Sequence, residues 1–143
     1  MDVPLALAAT LGGLASWWDL RTGQIPNWLA LLAGATGLAW AGWEAGWKGL
    51  GDAVIGAAVG FFALVGLYLL GGLGGGDVKL MAGLGSLAGK GHIGEALFWM
   101  ALTGGVWAAA ALLWGRFKGH RPAPRTIPYA PAIALGTVMS LWN

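Results

Sequence analysis

Apolar runs of nearly membrane-spanning length follow one another along almost the whole chain, and no water-facing surface could be built around them. They cover roughly 3–18, 28–43, 50–70, 78–88, 93–114 and 127–142. A bilayer crossing takes about 20 apolar residues, with a range near 17–25. The third and fifth runs reach this easily, and the first, second and sixth fall slightly short. The fourth, VKLMAGLGSLA, is the weakest, because Lys79 stands near its start and Gly83 and Gly85 interrupt it. Such a segment is stable in lipid only where neighbouring helices cover its backbone. Charged residues make up 10% of the chain, against about 25% in a soluble domain. The expected fold is therefore all-α: one polytopic transmembrane domain over residues 1–143, with about six transmembrane helices. Five helices plus a re-entrant piece is the alternative.

Glycine, at 27 residues, is far above ordinary usage. No Gly-X-Y period accompanies it, so it points to close helix packing in a membrane rather than to collagen. The absence of cysteine excludes disulfides, thiolate metal sites and a cysteine nucleophile. The first run begins Met1-Asp2 without a basic stretch and ends Trp17-Trp18-Asp19, unlike a cleaved signal peptide, so it is expected to be a retained helix.

Six spans would place Arg21, Lys79, Arg116, Lys118, Arg121 and Arg125 on one side of the membrane. The other side would receive Lys48 and Lys90 together with Glu44, Asp52 and Glu95. By the positive-inside rule the first side is cytoplasmic, which puts both termini outside. The basic balance then reflects loops beside anionic lipid, and no nucleic-acid partner is expected. Trp17, Trp18, Trp28 and Trp114 would fall at the inner boundary and Trp40, Trp43, Trp47 and Trp142 at the outer one, as interfacial belts do.

Under this topology the cytoplasmic side carries only two acids, Asp19 after the first run and Asp77 before the fourth. Ionisable residues at a membrane boundary point to function. Two neighbouring carboxyls would share a proton, since the second ionisation is opposed by the first. Such a pair can deprotonate a water with one member and protonate a scissile amide with the other. Simpler readings exist for each: Asp77, after Gly74-Gly75-Gly76, stands where a helix N-cap belongs, and Asp19 could pair with Arg21. Their joint isolation on the basic side favours the catalytic reading.

The bare segment Gly71–Gly76 would let an extended peptide approach closely. No GK[ST] follows it, so a phosphate loop is excluded. Lys79 reads as an anchor reaching the headgroups, with substrate contact or a bias of the two acids towards ionisation as alternatives. Ile25-Pro26-Asn27 reads as a helix start, Pro128 and Pro131 as marking the approach to the last helix, and Gly56-xxx-Gly60 as a packing seam. His92 and His120 fall on opposite sides, no HExxH occurs, and Ser86 lies outside any G-x-S-x-G pattern, so neither metal nor serine chemistry is expected. No cofactor is called for. A proton-coupled channel or carrier, or a structural subunit of a secretion complex, are the rival classes.

These residues resemble one family, the type IV prepilin leader peptidases, which are membrane aspartic peptidases. Gly74-Gly75-Gly76-Asp77-Val78-Lys79-Leu80 is similar to the family's GxGDxKL block. Asp19 with Ile25-Pro26-Asn27 is similar to its Asp-and-IPN block, and Ile127-Pro128-Tyr129-Ala130-Pro131 to a looser third motif in which Gly is commoner than Ala130. The resemblance implies a catalytic pair Asp19 and Asp77, with Gly74, Gly76 and Lys79 as supporting loop residues. It also implies leader removal from prepilin or pseudopilin precursors at the cytoplasmic face of a prokaryotic inner membrane. Larger members carry a cytoplasmic insertion with paired CxxC motifs, and some methylate the new N-terminus. This chain has no such insertion, so it resembles the minimal form found with tight-adherence pili, and methylation is not expected. Presenilin-like peptidases share GxGD but are longer and lack the IPN block.

Overall fold

The computed structural model describes residues 2–117 and 127–142. Lys118, His120, Arg121 and Arg125, assigned above to a cytoplasmic loop, lie outside the described residues. The described chain is helical: α1 (Val3–Thr22), α2 (Asn27–Leu69), α3 (Gly75–Phe117) and α4 (Ala130–Trp142).

The two long helices, 43 residues each, are bent once. In α2 the bend is at Ala45 and Gly46, the latter at φ 58° and ψ −140°; in α3 it is at Gly89, at φ 63° and ψ −179°. Residues with a Cβ almost never adopt these angles, so the two glycines fix where the helices turn. Packing shows how sharp the α2 bend is. A Cβ on Gly34 would lie 3.8 Å from Gly83, and one on Gly60 would meet Met81 within 2.9 Å. A straight helix would hold Gly34 and Gly60 roughly 39 Å apart at 1.5 Å per residue. The chain therefore doubles back, and the two arms of α2 grip the first arm of α3 from two sides.

Each bend leaves two arms, so six helical segments stand where six apolar runs were expected, with shifted limits. The breaks expected near 44–49 and 89–92 are bends of one or two residues, at Ala45–Gly46 and at Gly89, with helix on either side. Helix α4 begins at Ala130 rather than 127, since the residue before a proline is pushed towards extended backbone. Pro131 then falls in the first turn, where its missing N–H costs nothing. Asn27 opens α2 with Pro26 as its N-cap residue.

Segment 78–88 is enclosed as its composition requires. Leu80, Met81 and Leu84 are fully buried, and Ser86 donates its hydroxyl proton to the Gly83 carbonyl at 2.6 Å. Gly56 and Gly60 face α3, at Gly85 and Met81, so that seam is internal. Helix α4 packs between α1, where Gly12 meets Ala134, and the second arm of α3, where Gly136 meets Ala96 and Met100.

The outside is apolar. Leu31, Phe62, Leu69, Trp43 and Trp47 are exposed, and α2 and α3 are long and apolar enough to cross a membrane. A soluble domain this small could not leave so much aliphatic and aromatic surface in water.

Candidate active site

Asp19 and Asp77 meet at one end of the bundle. Asp19 lies in the last turn of α1, just past the run 3–18, and its carbonyl accepts the Gly23 N–H at 2.7 Å. That capping bond reverses the chain, so residues 24–26 cross directly to the start of α2. Asp77 lies in the first turn of α3, just before the run 78–88. Ile127 and Pro128, ahead of α4, close the third side.

The pair lines a cavity of about 440 Å³ whose other walls include Gly23, Gln24, Ile25, Asn27 and Gly74–Gly76. Each of the two residues is 6% exposed, and among the described residues no cationic side chain lines the cavity.

The two acids are held differently. Asp19 Oδ2 accepts the Ala130 N–H at 3.2 Å, a partner 111 residues away at the positive end of α4. The ion pair with Arg21 considered above is not its partner: Arg21 lies over the Trp17 ring, 4.6 Å from the centroid. Asp77 Oδ2 accepts the Gly74 N–H at 3.1 Å, while Oδ1 is buried with no hydrogen-bond partner.

Asp77 is thus not the N-cap residue that its position after three glycines suggested. It is the third residue of α3 and reaches back to the N–H of the residue before the helix, the returning half of a capping box. The Asp77 N–H in turn donates to the Gly74 carbonyl at 3.1 Å. This local ring fixes Oδ2.

The supporting residues have distinct steric parts. A Cβ on Gly74 would sit 3.3 Å from Asp77 Oδ2, pressing on the carboxylate. A Cβ on Gly76 would sit 3.1 Å from Ile25 Cβ, so the bare backbone here lets the α1–α2 link pack on the start of α3. Lys79 is exposed and outside the cavity wall; its Nζ donates to Asn27 Oδ1 at 3.0 Å. Sequence reasoning gave Lys79 an anchoring part and missed this bond, which ties the IPN turn to the GxGDxKL block. It also missed the Ala130 amide, for which the only signal was the proline-rich approach to the last helix. Among the described residues no group of three or more His, Cys, Asp or Glu side chains could hold a metal ion.

The model of the type IV leader peptidase family matches residues 6–109, most of the chain and both aspartates. A prepilin leader peptidase/N-methyltransferase of Bacillus subtilis is 39% identical over 89 residues, which is 61% of this chain and 34% of that protein. An enzyme of the same name from Aeromonas salmonicida is 35% identical over 106 residues, covering 68% of this chain and 35% of the relative. The chain thus spans about a third of the length of these relatives. No solved structure matches it. With that model matched over residues 6–109, the chain belongs to the type IV leader peptidase family.

Proposed function

We propose that this chain is a membrane aspartic endopeptidase that removes the leader peptide from prepilin or pseudopilin precursors. The observation that carries the reading is that Asp19 and Asp77, both buried, line one cavity, with Oδ1 of Asp77 left without a hydrogen-bond partner. A carboxyl oxygen so placed needs a partner, and a water or a peptide carbonyl supplies one.

Asp19, stabilised as a carboxylate by the Ala130 N–H, is the base; Asp77, with one buried oxygen left unpartnered, is the acid. Water bound between them loses one proton to Asp19 as its oxygen bonds to the scissile carbonyl carbon. Asp77 gives its proton to the amide nitrogen, the C–N bond breaks, and a free carboxyl and amine leave. The bare loop 74–76 gives an extended peptide room beside the acids.

In this reading the six helical segments are six transmembrane spans in a prokaryotic inner membrane. Arg21, Lys79 and Arg116 mark the catalytic end as cytoplasmic, and both termini are outside. Exposed Trp17, Trp28, Trp43 and Trp142 sit at the interfaces. The test is Asp77→Asn in cells co-expressing a prepilin that the wild-type chain processes. Unprocessed precursor, with the variant present in the membrane at normal level, is the expected result. Full processing would sink the assignment.

A further inference from the structure

Only one side of the catalytic pair is held by a distant element, and that element has its own seat. Asp19 depends on the Ala130 N–H. Ala130 follows Tyr129, whose carbonyl accepts the Ile133 N–H at 3.1 Å in the first turn of α4. The Tyr129 ring lies directly on Gly104 of the second α3 arm: a Cβ there would come within 2.9 Å of Cζ and 3.1 Å of the hydroxyl oxygen. Ala96, Met100 and Gly104 recur every four residues, so they form one stripe along that arm. Gly136 packs on the first two and Tyr129 on the third. The ring and the amide that holds Asp19 belong to adjacent residues, so a shift of the Tyr129 backbone that relieves crowding at Gly104 would carry the amide with it.

We infer that Gly104 is a positioning residue for the reaction: its bare Cα lets the Tyr129 ring seat on α3, and that seat aims the Ala130 N–H at Asp19. The inference rests on the peptidase reading above. Gly104 touches neither aspartate and does not line the cavity. Its effect on chemistry passes through the amide. Asp77, on α3, is the other titratable group among the described residues that line the cavity; Asn27, from α2, carries no charge, and Arg21, on α1 itself, stacks on Trp17.

The experiment uses the full chain in liposomes with a prepilin precursor that the wild type cleaves, and compares Gly104→Ala with Tyr129→Ala. The first displaces the ring by added bulk; the second removes the ring without crowding the helix, and so remains informative if the first does not accumulate. Both are expected to lower kcat about tenfold, as for loss of one hydrogen bond to a charged group. KM should stay within about twofold. The acid-side inflection of the pH profile should move up by about one unit, because Asp19 loses the donor that favours its ionised form. Loss of packing alone would lower the melting temperature and leave that inflection in place. An unmoved inflection in both variants therefore overturns the inference, whatever the total activity. Asp77→Asn is assayed beside them. If it cleaves, the peptidase reading falls; if it is inactive while the inflection stays fixed, only the assignment of Gly104 falls.

Discussion

Two cavities open at opposite ends of the same helices, and the larger is not the one to which we assign the chemistry. The cavity beside Asp2, the bends of α2 and α3 and the end of α4 measures about 530 Å³ and is lined by Asp2, Glu44, Asp52 and His92. The cavity of Asp19 and Asp77 measures about 440 Å³ and has half as many titratable groups. In the larger one Asp2, Glu44 and His92 are exposed and Asp52 is half-buried, so water solvates them. In the smaller one both acids are buried and one oxygen lacks a partner. Burial and mutual repulsion, rather than volume or the number of acids, make a carboxyl pair able to exchange a proton near neutral pH.

The largest expected effect tests that contrast directly. Asp19→Asn and Asp77→Asn should each lower cleavage by about 10³-fold or more, since the two carboxyls act as one unit and neither amide can exchange a proton. Quantitative immunoblotting of precursor and mature pilin would read it. Residual processing above a few per cent in either variant would break the assignment of chemistry to the buried pair.

Much of this contrast can be read from the sequence, and for a physical reason. The alternation of apolar runs and loops assigns each charge to one end of the helices, so Asp19 and Asp77 are expected at the same end from the sequence alone. The enclosure of 78–88 follows likewise from Lys79, Gly83 and Gly85 in a segment too weak to face lipid alone. What stayed hidden depends on lateral packing, which hydropathy does not encode. The Ala130 amide reaches Asp19 across 111 positions, and Lys79 reaches Asn27 across 52. Gly104 looks like any small residue until Tyr129 lands on it. The place of Asp77 in the first turn of α3 was hidden for a smaller reason: three glycines in a row leave the first helical residue undetermined.

The pH profile should separate the cavities next. With Asp77 as the acid, cleavage should fall about tenfold per unit once the pH is high enough to ionise it. Burying an ionised carboxyl costs stability that burying an amide does not. Asp77→Asn carries no charge at any pH, so it should melt no lower than wild type at pH 8 and should lose that advantage near pH 4. A variant that melted far lower at pH 8 would show that Asp77 holds the fold together rather than serving as the acid.

Smaller effects should come from the groups that shape the catalytic cavity without reacting. Gly76→Val would force Ile25 away from the start of α3, and cleavage should drop about tenfold or more as the pair is displaced. Lys79→Met removes the exposed bond to Asn27 and keeps most of the side-chain bulk. A single surface hydrogen bond contributes about 1 kcal/mol, so a loss of about three- to tenfold is expected, mostly in kcat if the bond orients the IPN turn. An equal loss in Lys79→Arg would show that the geometry of the amine, and not its charge, matters.

The smallest effect should come from the larger cavity. Glu44 is exposed and Asp52 half-buried, so removing their charge frees no buried group and leaves none unpaired. Glu44→Gln and Asp52→Asn, singly and together, should change prepilin cleavage by less than about twofold and leave the shape of its pH profile in place. The double variant is the sharper of the two tests, since it strips most of the negative charge from that end while the buried pair is untouched. If it lost activity as Asp77→Asn does, then acids at the far end would be coupled to the reaction across the bundle, and burial alone could not be what distinguishes the two cavities.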